Sequence, residues 1–143
     1  MKNYRNGHPR WPIIEKEFDD MQCAFCISSS EEHILQNDHA FAKPDKYPVT
    51  EGHTLLIPKR HFADYFDITE AENNAMQDLL KICRNKLLEN DSTIMGFNIG
   101  INVGETAGQT IFHCHIHLIP RRKGDCGNSR GGVRGVIKHK LRY

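Results

Sequence analysis

The sequence has no apolar run of the roughly 18 residues that a membrane-spanning helix requires. Its first twenty residues contain no apolar stretch of signal-peptide length, and Pro9 and Pro12 interrupt them. The five cysteines are an odd number, and only Cys23 and Cys26 lie close together, which does not fit a secreted disulfide framework. We therefore expect a cytoplasmic protein in a reducing compartment, with no membrane partner.

A strong net charge is also missing, because 19 basic and 18 acidic residues leave the 143-residue chain at +1. The 38% hydrophobic and 26% charged content is typical of a globular protein with one core. Basic residues are concentrated in residues 121–143, which contain eight Lys or Arg and a single acid. Binding of nucleic acid by the whole surface is therefore not expected, and the basic end is either a solvated tail or an anion-binding segment.

One long helix is predicted to begin after Thr69. Thr69 and Glu72 have the spacing of a capping box, in which each side chain bonds a backbone N–H that the first helical turn leaves unpaired. Apolar residues then recur at three- and four-residue steps and form one face: Met76, Leu79, Leu80, Cys83 and Leu87. A second, short helix is predicted within residues 58–66, because proline is well accepted in a first helical turn.

Five strands are predicted from segments bounded by turn residues, at 33–36, 39–43, 54–57, 97–102 and 110–119. In the fourth, Phe97, Ile99 and Ile101 alternate with polar or small residues, which is typical of a strand with two unlike faces. The glycine-containing connection to the fifth strand is too short for a helical crossover, so these two strands should form an antiparallel hairpin. The pattern predicts an α+β domain in which the long helix packs across an antiparallel sheet.

Three histidines alternate with apolar residues in the fifth predicted strand. Since side chains alternate across a strand, His113, His115 and His117 should share one face, while Cys114 and Ile116 should point into the core. At about 3.4 Å per residue, the outer two rings lie too far apart for all three to bind one zinc ion. Such a row suits attack on phosphorus by one neutral imidazole, with neighbouring groups binding the phosphate oxygens.

The segment before these histidines has features of an anion site. Residues 104–110 contain two glycines and could present backbone N–H groups to an anion. Asn102 ends the fourth predicted strand, beside the histidines across the hairpin. Its amide would bind a phosphate or ribose oxygen, or it would cap the turn.

These residues resemble the histidine triad (HIT) superfamily of nucleotide hydrolases and transferases. Residues 113–119 fit its signature of three histidines alternating with apolar residues, and Asn102 and residues 108–110 fall where the family has Asn and Gly-Gln-Ser/Thr. Residues 51–61 are similar to the family's Gly-His-x-Leu-x-x-Pro-Lys-x-His segment. The resemblance implies a five-stranded antiparallel sheet with a long and a short helix, and a homodimer in which the two sheets are continuous.

The resemblance also assigns roles to single residues. His115 would be the nucleophile, which forms a covalent nucleotidyl-imidazole at the α-phosphorus before water releases a nucleoside monophosphate. His117 would donate a hydrogen bond to the α-phosphate or the leaving oxygen, and His113 would orient the central ring. The residues assigned to nucleotide binding are His53, Asn102, Gly108, Gln109 and Thr110. No catalytic metal is expected.

His117 also bears on the choice between hydrolysis and transfer. The uridylyltransferase branch of the superfamily has Gln at this position, so the resemblance favours hydrolysis over transfer. A nucleotidyltransferase of the same superfamily and a non-catalytic nucleotide-binding or signalling module stay open as alternatives.

Cys23 and Cys26 have a spacing that serves both redox dithiols and metal sites. The sequence around them does not predict the preceding buried strand and following helix of a thioredoxin-like motif. Resemblance to bacterial HIT proteins implies a structural zinc ion bound by Cys23, Cys26, His61 and His113, a closed site that would stabilise the fold. The alternative is a pair of reduced, buried thiols.

The resemblance covers about residues 23–121 and divides the chain into an N-terminal extension at 1–20, a HIT domain at 21–122 and a basic, glycine-containing tail at 123–143. Residues 130–137 of the tail are similar to a bacterial HIT branch associated with diadenosine polyphosphate hydrolysis. Arg130 or Arg134 would then bind phosphate oxygens bidentately. The expected substrate is a dinucleoside polyphosphate or a related nucleotide conjugate.

Overall fold

The computed structural model of the chain describes residues 22–141 and the backbone of two short strands before them. These are β1, Tyr4–Arg5, and β2, His8–Pro9, which pair with each other in an antiparallel arrangement. The rest of the predicted extension at residues 1–20 lies outside the described residues.

The main sheet contains five strands, and each neighbouring pair in it is antiparallel. The strands are β3 Leu35–Gln36, β4 Ala40–Pro44, β5 Thr54–Pro58, β6 Ile94–Gly100 and β7 Ile116–Arg122. Their order in space is β3-β4-β5-β7-β6, and the helix α1, Glu70–Asn90, connects β5 with β6. The predicted α+β fold and the antiparallel pairing of the last two strands are therefore confirmed.

The last strand begins at Ile116 rather than at Thr110, and the connection that precedes it spans residues 101–115. The backbone N–H of Cys114 donates to the Phe62 carbonyl oxygen (2.6 Å), and residues 113–116 are all buried instead of alternately buried. These contacts hold the segment beside the end of β5 instead of in the sheet ladder. Cys114 and Ile116 are buried as predicted, but a row of three histidines on one strand is wrong, because only His117 lies within β7.

The helix α1 begins with the predicted capping box. The Glu72 N–H donates to Thr69 Oγ1 (3.2 Å), and the Thr69 N–H donates to the Glu72 carboxylate (2.9 Å). The Arg60 guanidinium also bonds this carboxylate twice and is the main reason why the pKa of Glu72 falls to about 2. Burial of each large apolar side chain between helix and sheet contributes about 1.5 to 3 kcal/mol. The core contains Met76, Leu79 and Cys83 from α1 and Leu56, Ile116 and Leu118 from the sheet.

The short helix predicted at residues 58–66 is wrong in position and length. β5 continues through Pro58, which is its last residue and pairs with Ala40. A 3₁₀ turn forms later, at Tyr65–Asp67, where the Asp64 carboxylate accepts the Phe66 N–H (2.9 Å). Among the residues that the structure describes, no helix is long and apolar enough to cross a membrane.

The basic tail returns to the sheet. A 3₁₀ turn at Gly132–Val136 packs against β6. Gly131, just before it, has φ of +95°, and a Cβ atom there would lie 1.9 Å from the Leu141 carbonyl oxygen. Only glycine fits both requirements, so this residue fixes the course of the tail over the sheet.

Candidate active site

The site lies on the sheet face opposite α1. Since Ile116 and Leu118 face the helix, His117 between them points to the other side. Leu55 of β5 and Gly100 of β6 are its direct neighbours across the strands and stand on the same face. Phe25 packs edge-on against the adjacent His115, with ring centroids 5.1 Å apart. This face therefore has an apolar floor around two histidines.

The ring of His115 is held in one tautomer. Its Nδ1 lies 2.8 Å from the His113 carbonyl oxygen, which can only accept, so Nδ1 carries the proton and donates. In the neutral ring, Nε2 then bears the lone pair. Burial lowers the pKa of His115, and the bond to the His113 carbonyl partly offsets this. The ring is therefore neutral at physiological pH and can act as a nucleophile through Nε2.

His117 is oriented by His53. The Val49 N–H donates to His53 Nδ1 (3.2 Å), so the proton of a neutral His53 is on Nε2. That nitrogen lies 2.9 Å from His117 Nδ1, to which it donates. His117 Nδ1 is thus an acceptor, and the remaining proton of this ring is on Nε2. A chain of hydrogen bonds from a backbone amide leaves His117 with an N–H donor for a substrate.

Asp45, which no sequence motif indicated, completes this group. Its carboxylate lies 3.4 Å from His53 Nε2 and 3.9 Å from His117 Nδ1. Burial, followed by the neighbouring His115 and His53, lowers the pKa of His117 to about 4, and Asp45 only partly opposes this. Burial lowers the pKa of His53 as well. Asp45, His53 and His117 are called the His–Asp group below, and both of its rings are neutral near pH 7.

The three residues of the His–Asp group lie close enough together to hold a metal ion. The hydrogen bonding opposes that function. His53 Nδ1 already accepts the Val49 N–H, so the Nε2 atom that faces the other two residues carries a proton and has no lone pair to offer. The group is therefore arranged to pass a hydrogen bond to His117 and not to coordinate a cation.

The loop before the histidines uses most of its polar groups internally. Gln109 is buried, its amide nitrogen donates to the carbonyl oxygens of Ala63 (3.0 Å) and Ile111 (3.2 Å), and its Oε1 accepts the Gly104 N–H (2.9 Å). The side chain thus shapes the loop. Two other residues predicted to bind nucleotide are less enclosed: Asn102 Nδ2 donates to the Gly108 carbonyl oxygen (3.4 Å), and Thr110 is exposed.

The four predicted zinc ligands converge, although they come from three separate segments of the chain. His113 Nδ1 lies 3.5 Å from the sulfur atoms of both Cys23 and Cys26 and 3.2 Å from His61 Nδ1. His61 Nδ1 and the Cys26 sulfur are also 3.2 Å apart, and all four atoms lie within 4.8 Å of one another. We call these four residues the Cys–His cluster.

The donor set of the Cys–His cluster fits zinc. Ligands at about 2.0 to 2.3 Å from a tetrahedral zinc ion lie about 3.3 to 3.8 Å from one another, close to the spacings found here. His113 Nε2 donates to the Pro58 carbonyl oxygen (2.7 Å), which leaves the lone pair of Nδ1 directed into the cluster. Two thiols and two imidazoles facing one point, with one ring preset by a backbone carbonyl, are the features of a structural zinc site.

The structure thus divides the predicted site residues between two places. His113 joins the Cys–His cluster through its ring, whereas His115 and His117 lie on the active-site face with His53. Sequence reasoning missed Asp45 and Phe25. Phe25 lies within the Cys23–Cys26 segment, and a signal for it was its position between two candidate ligands. Asp45 has no such local signal.

The profile of the HIT domain family matches residues 28–124, and the chain belongs to this family. The matched range includes the strands of the main sheet and α1. It also includes five histidines of the two sites: His53, His61, His113, His115 and His117. The predicted resemblance to the histidine triad superfamily is therefore confirmed.

Three relatives show what related chains do. A zinc-bound histidine triad family protein from Mycobacterium smegmatis has a TM-score of 0.67 and 34% identity, over 75% of this chain and 80% of that one. The diadenosine triphosphate hydrolase of Plasmodium falciparum, solved in complex with cyclomarin A, has a TM-score of 0.61 and 28% identity, over 68% of this chain and 66% of its own. Adenylylsulfatase HINT3 of Arabidopsis thaliana is 34% identical over 79% of this chain and 59% of that protein. Some relatives are thus hydrolases, and one binds zinc.

Proposed function

We propose that the protein is a nucleotide hydrolase that cleaves at the α-phosphate of a dinucleoside polyphosphate or a related nucleotide conjugate. The observation that carries the proposal is the contact between His115 Nδ1 and the His113 carbonyl oxygen (2.8 Å), because it leaves Nε2 as a neutral nucleophile. The hydrolase names of two relatives support the same class of reaction. The more specific assignment of a dinucleoside polyphosphate as substrate rests on the basic tail at residues 123–143.

In the first step, the lone pair of His115 Nε2 attacks the α-phosphorus. A nitrogen–phosphorus bond forms while the bond from phosphorus to the leaving oxygen breaks, and the leaving phosphate takes that electron pair. The Nε2–H of His117 donates a hydrogen bond to this oxygen as its negative charge develops. The His115 ring becomes positively charged, and its Nδ1–H bond to the His113 carbonyl strengthens accordingly.

In the second step, water attacks the same phosphorus atom. The nitrogen–phosphorus bond breaks and returns its electron pair to Nε2, so that a nucleoside monophosphate leaves and the neutral ring is restored. The water proton passes to solvent or to the phosphate. Asn102 and Thr110 remain candidates for binding phosphate oxygens, with Gly108 and the Gln109-shaped loop holding them in position.

We also propose that Cys23, Cys26, His61 and His113 bind one structural zinc ion. The converging donor atoms and the zinc-bound relative support this assignment. When bound, the ion would supply fold stability and no chemistry at phosphorus, because four protein ligands leave no position for water. The proposal assigns the protein to the cytoplasm, where these thiols stay reduced.

The outer edge of β6 supports a homodimer, which we propose as well. β6 is the last strand of the main sheet, and Met95 and Ile99 on it are 77% and 50% exposed. Pairing with the same strand of a second copy would cover this edge and continue the sheet. Sedimentation equilibrium should give the mass of two chains, and the mass of one chain at micromolar concentration would contradict the proposal.

The proposed reaction is tested by incubating the protein with diadenosine triphosphate, diadenosine tetraphosphate, adenosine phosphosulfate and adenosine phosphoramidate. At least one should release adenosine monophosphate. His115→Ala should lower that rate by more than about 10³-fold, since it removes the nucleophile. The matched control is His39→Ala, because His39 is exposed and lies outside the site, and this variant should keep the full rate.

The outcomes separate the competing functions. Binding of these nucleotides without turnover of any of them would identify a non-catalytic nucleotide-binding module. A His115→Ala variant that keeps its activity would contradict the covalent mechanism. Release of a nucleotide onto an added acceptor instead of water would identify a transferase.

A further inference from the structure

A cavity of about 330 Å³ lies between the basic tail and the main sheet. Cavities of this volume are at the lower end of the range for small-molecule sites. Asn98 of β6 and Ile119 of β7 form its floor, and Gly132 and Val133 of the tail form one side. The cavity therefore exists only because the tail returns to the sheet.

The floor of the cavity belongs to the same sheet face as His117. Asn98 and Ile119 are direct partners across β6 and β7, and the next pair on the same face is Gly100 and His117. Residues two apart in a strand share a face and are about 6.8 Å apart. The cavity thus begins about 7 Å along the sheet from the ring that would contact the leaving group.

The path from His117 to the cavity is open on the β6 side. Gly100 lies opposite His117 and has no side chain, and a Cβ atom built there would have no atom within 4 Å. A Cβ atom built on Gly96, which lies opposite Arg121, would also have no atom within 4 Å. A linear group that starts at His117 can therefore extend along the sheet without meeting a side chain of β6 until it reaches Asn98 in the cavity floor.

The lining has the character of a site for an uncharged polar group with apolar faces. Arg121 lies in the wall, but two of its nitrogens bond the Asp125 carboxylate at 2.8 Å, so the two charges offset each other. Val49, Ile119 and Val133 supply apolar contact area. Such a lining does not favour a bare phosphate.

The cavity lining also offers one hydrogen-bond donor and one acceptor. Asn98 Oδ1 accepts a hydrogen bond from Arg121 Nη1 (2.6 Å), so its Nδ2 points the other way, toward Gly132 and the cavity. Thr50 donates its hydroxyl proton to the Pro120 carbonyl oxygen (2.8 Å), which leaves its oxygen as an acceptor. One donor and one acceptor above an apolar floor match the edge and the faces of a nucleobase or the hydroxyls of a ribose.

We propose that this cavity binds the second nucleoside of a dinucleoside polyphosphate, the part that leaves when the α-phosphate is cleaved. The inference rests on the proposed function and makes it more specific. The first nucleotide would be held at His115 and His117, the intervening phosphates would cross the open strip above Gly100, and the distal nucleoside would lie on Ile119 beneath the tail. The tail would then act by selecting long substrates.

The test fills the cavity without touching the catalytic residues. Val133 and Val136 lie on the same 3₁₀ turn and are 61% and 80% exposed, but only Val133 lines the cavity. Val133→Trp should therefore occupy the cavity, and Val136→Trp is its matched control. Dissociation constants for diadenosine tetraphosphate and adenosine monophosphate are measured by calorimetry in a His115→Ala background, so that neither ligand is consumed.

Val133→Trp should weaken binding of the dinucleotide about tenfold and change the monophosphate less than twofold, while Val136→Trp changes neither. A dinucleotide-selective gain through stacking on the new indole would support the same site. An equal effect on both ligands, or no effect on either, would overturn the assignment. Turnover by the wild type tests the proposed function separately, so a hydrolase with no selective effect of Val133→Trp would lose only the distal site.

Discussion

The Cys–His cluster and the His–Asp group each bring two imidazoles to within about one hydrogen-bond length, but they place the protons differently. In the Cys–His cluster, the Nε2–H of His113 donates a hydrogen bond to the Pro58 carbonyl oxygen, and the lone pair of Nδ1 points inward. In the His–Asp group, the Val49 N–H donates to Nδ1 of His53, and the Nε2–H of that ring donates to His117 Nδ1. One group has converging lone pairs, and the other has a proton between its rings.

The difference teaches that a backbone group outside each site decides its chemistry. A carbonyl behind an imidazole prepares the ring to bind a cation, whereas an amide N–H behind it prepares the ring to donate a hydrogen bond. The histidines themselves are the same. Changes in the His–Asp group should therefore affect turnover and leave zinc binding intact, whereas changes in the Cys–His cluster should act first on stability.

The largest expected effect is the loss of stability in Cys23→Ser. The wild type, purified without a chelator, should contain about one zinc ion per chain, and this variant should contain none. Because metal binding energy contributes directly to folding, the melting temperature should fall by at least about 10 °C. Elemental analysis and thermal unfolding measure the two quantities. A folded wild type without metal would show that the cluster is a pair of reduced thiols.

The second largest expected effect is a loss of turnover when the His–Asp group is changed. His53→Gln removes the ring that orients His117 and should lower kcat about 100-fold, within the range for loss of general acid or base assistance. The zinc content should stay unchanged, and the melting temperature should change far less than in Cys23→Ser. Steady-state kinetics with the best substrate, beside elemental analysis, checks both. A parallel loss of zinc would mean that the two groups are not independent.

The smallest effect is the pH dependence that His117 adds to stability. Its pKa in the folded protein is about 4, below the ordinary value of 6.5, so the unfolded chain binds more protons between these two values. The stabilising contribution is therefore complete above pH 6.5 and is lost as the pH falls toward 4. We expect about 2 kcal/mol over this interval, reduced for the 21% exposure of the ring.

Urea unfolding at several pH values between 4 and 7 measures this contribution. His117→Gln should show a shallower loss of stability than the wild type as the pH falls. Equal slopes for the two proteins would show that the ring is not held neutral by burial.

Most of the fold could be predicted from patterns between residues that are close in sequence. The capping box of Thr69 and Glu72 and the apolar face of α1 involve residues within a few turns of one another, and helix formation depends on such short spacings. The strands of the main sheet were found for the same reason. The last strand was misplaced because the contacts of Cys114 and His113 to Phe62 and Pro58 are distant in sequence and compete with the local alternation.

The sequence pointed to histidines and cysteines that the structure brings together, but it did not predict how they are arranged. The three histidines stand out in the sequence, yet their periodicity alone placed them in one row. The contact that separates them is tertiary: Cys23, 90 residues before His113 in sequence, lies against the His113 ring, which therefore sits in the Cys–His cluster instead of beside His115. Asp45 reaches the His–Asp group through a turn that returns the chain from β4 to β5, and no local pattern reports that approach.

His113 joins the two regions through different atoms. Its ring lies in the Cys–His cluster, while its backbone oxygen accepts the Nδ1–H of His115. A chain in which the Cys–His cluster has not closed lacks this fixed acceptor, and its His115 imidazole can present either nitrogen. In the proposed mechanism, closure of the Cys–His cluster would therefore set the tautomer that His115 needs for attack on phosphorus.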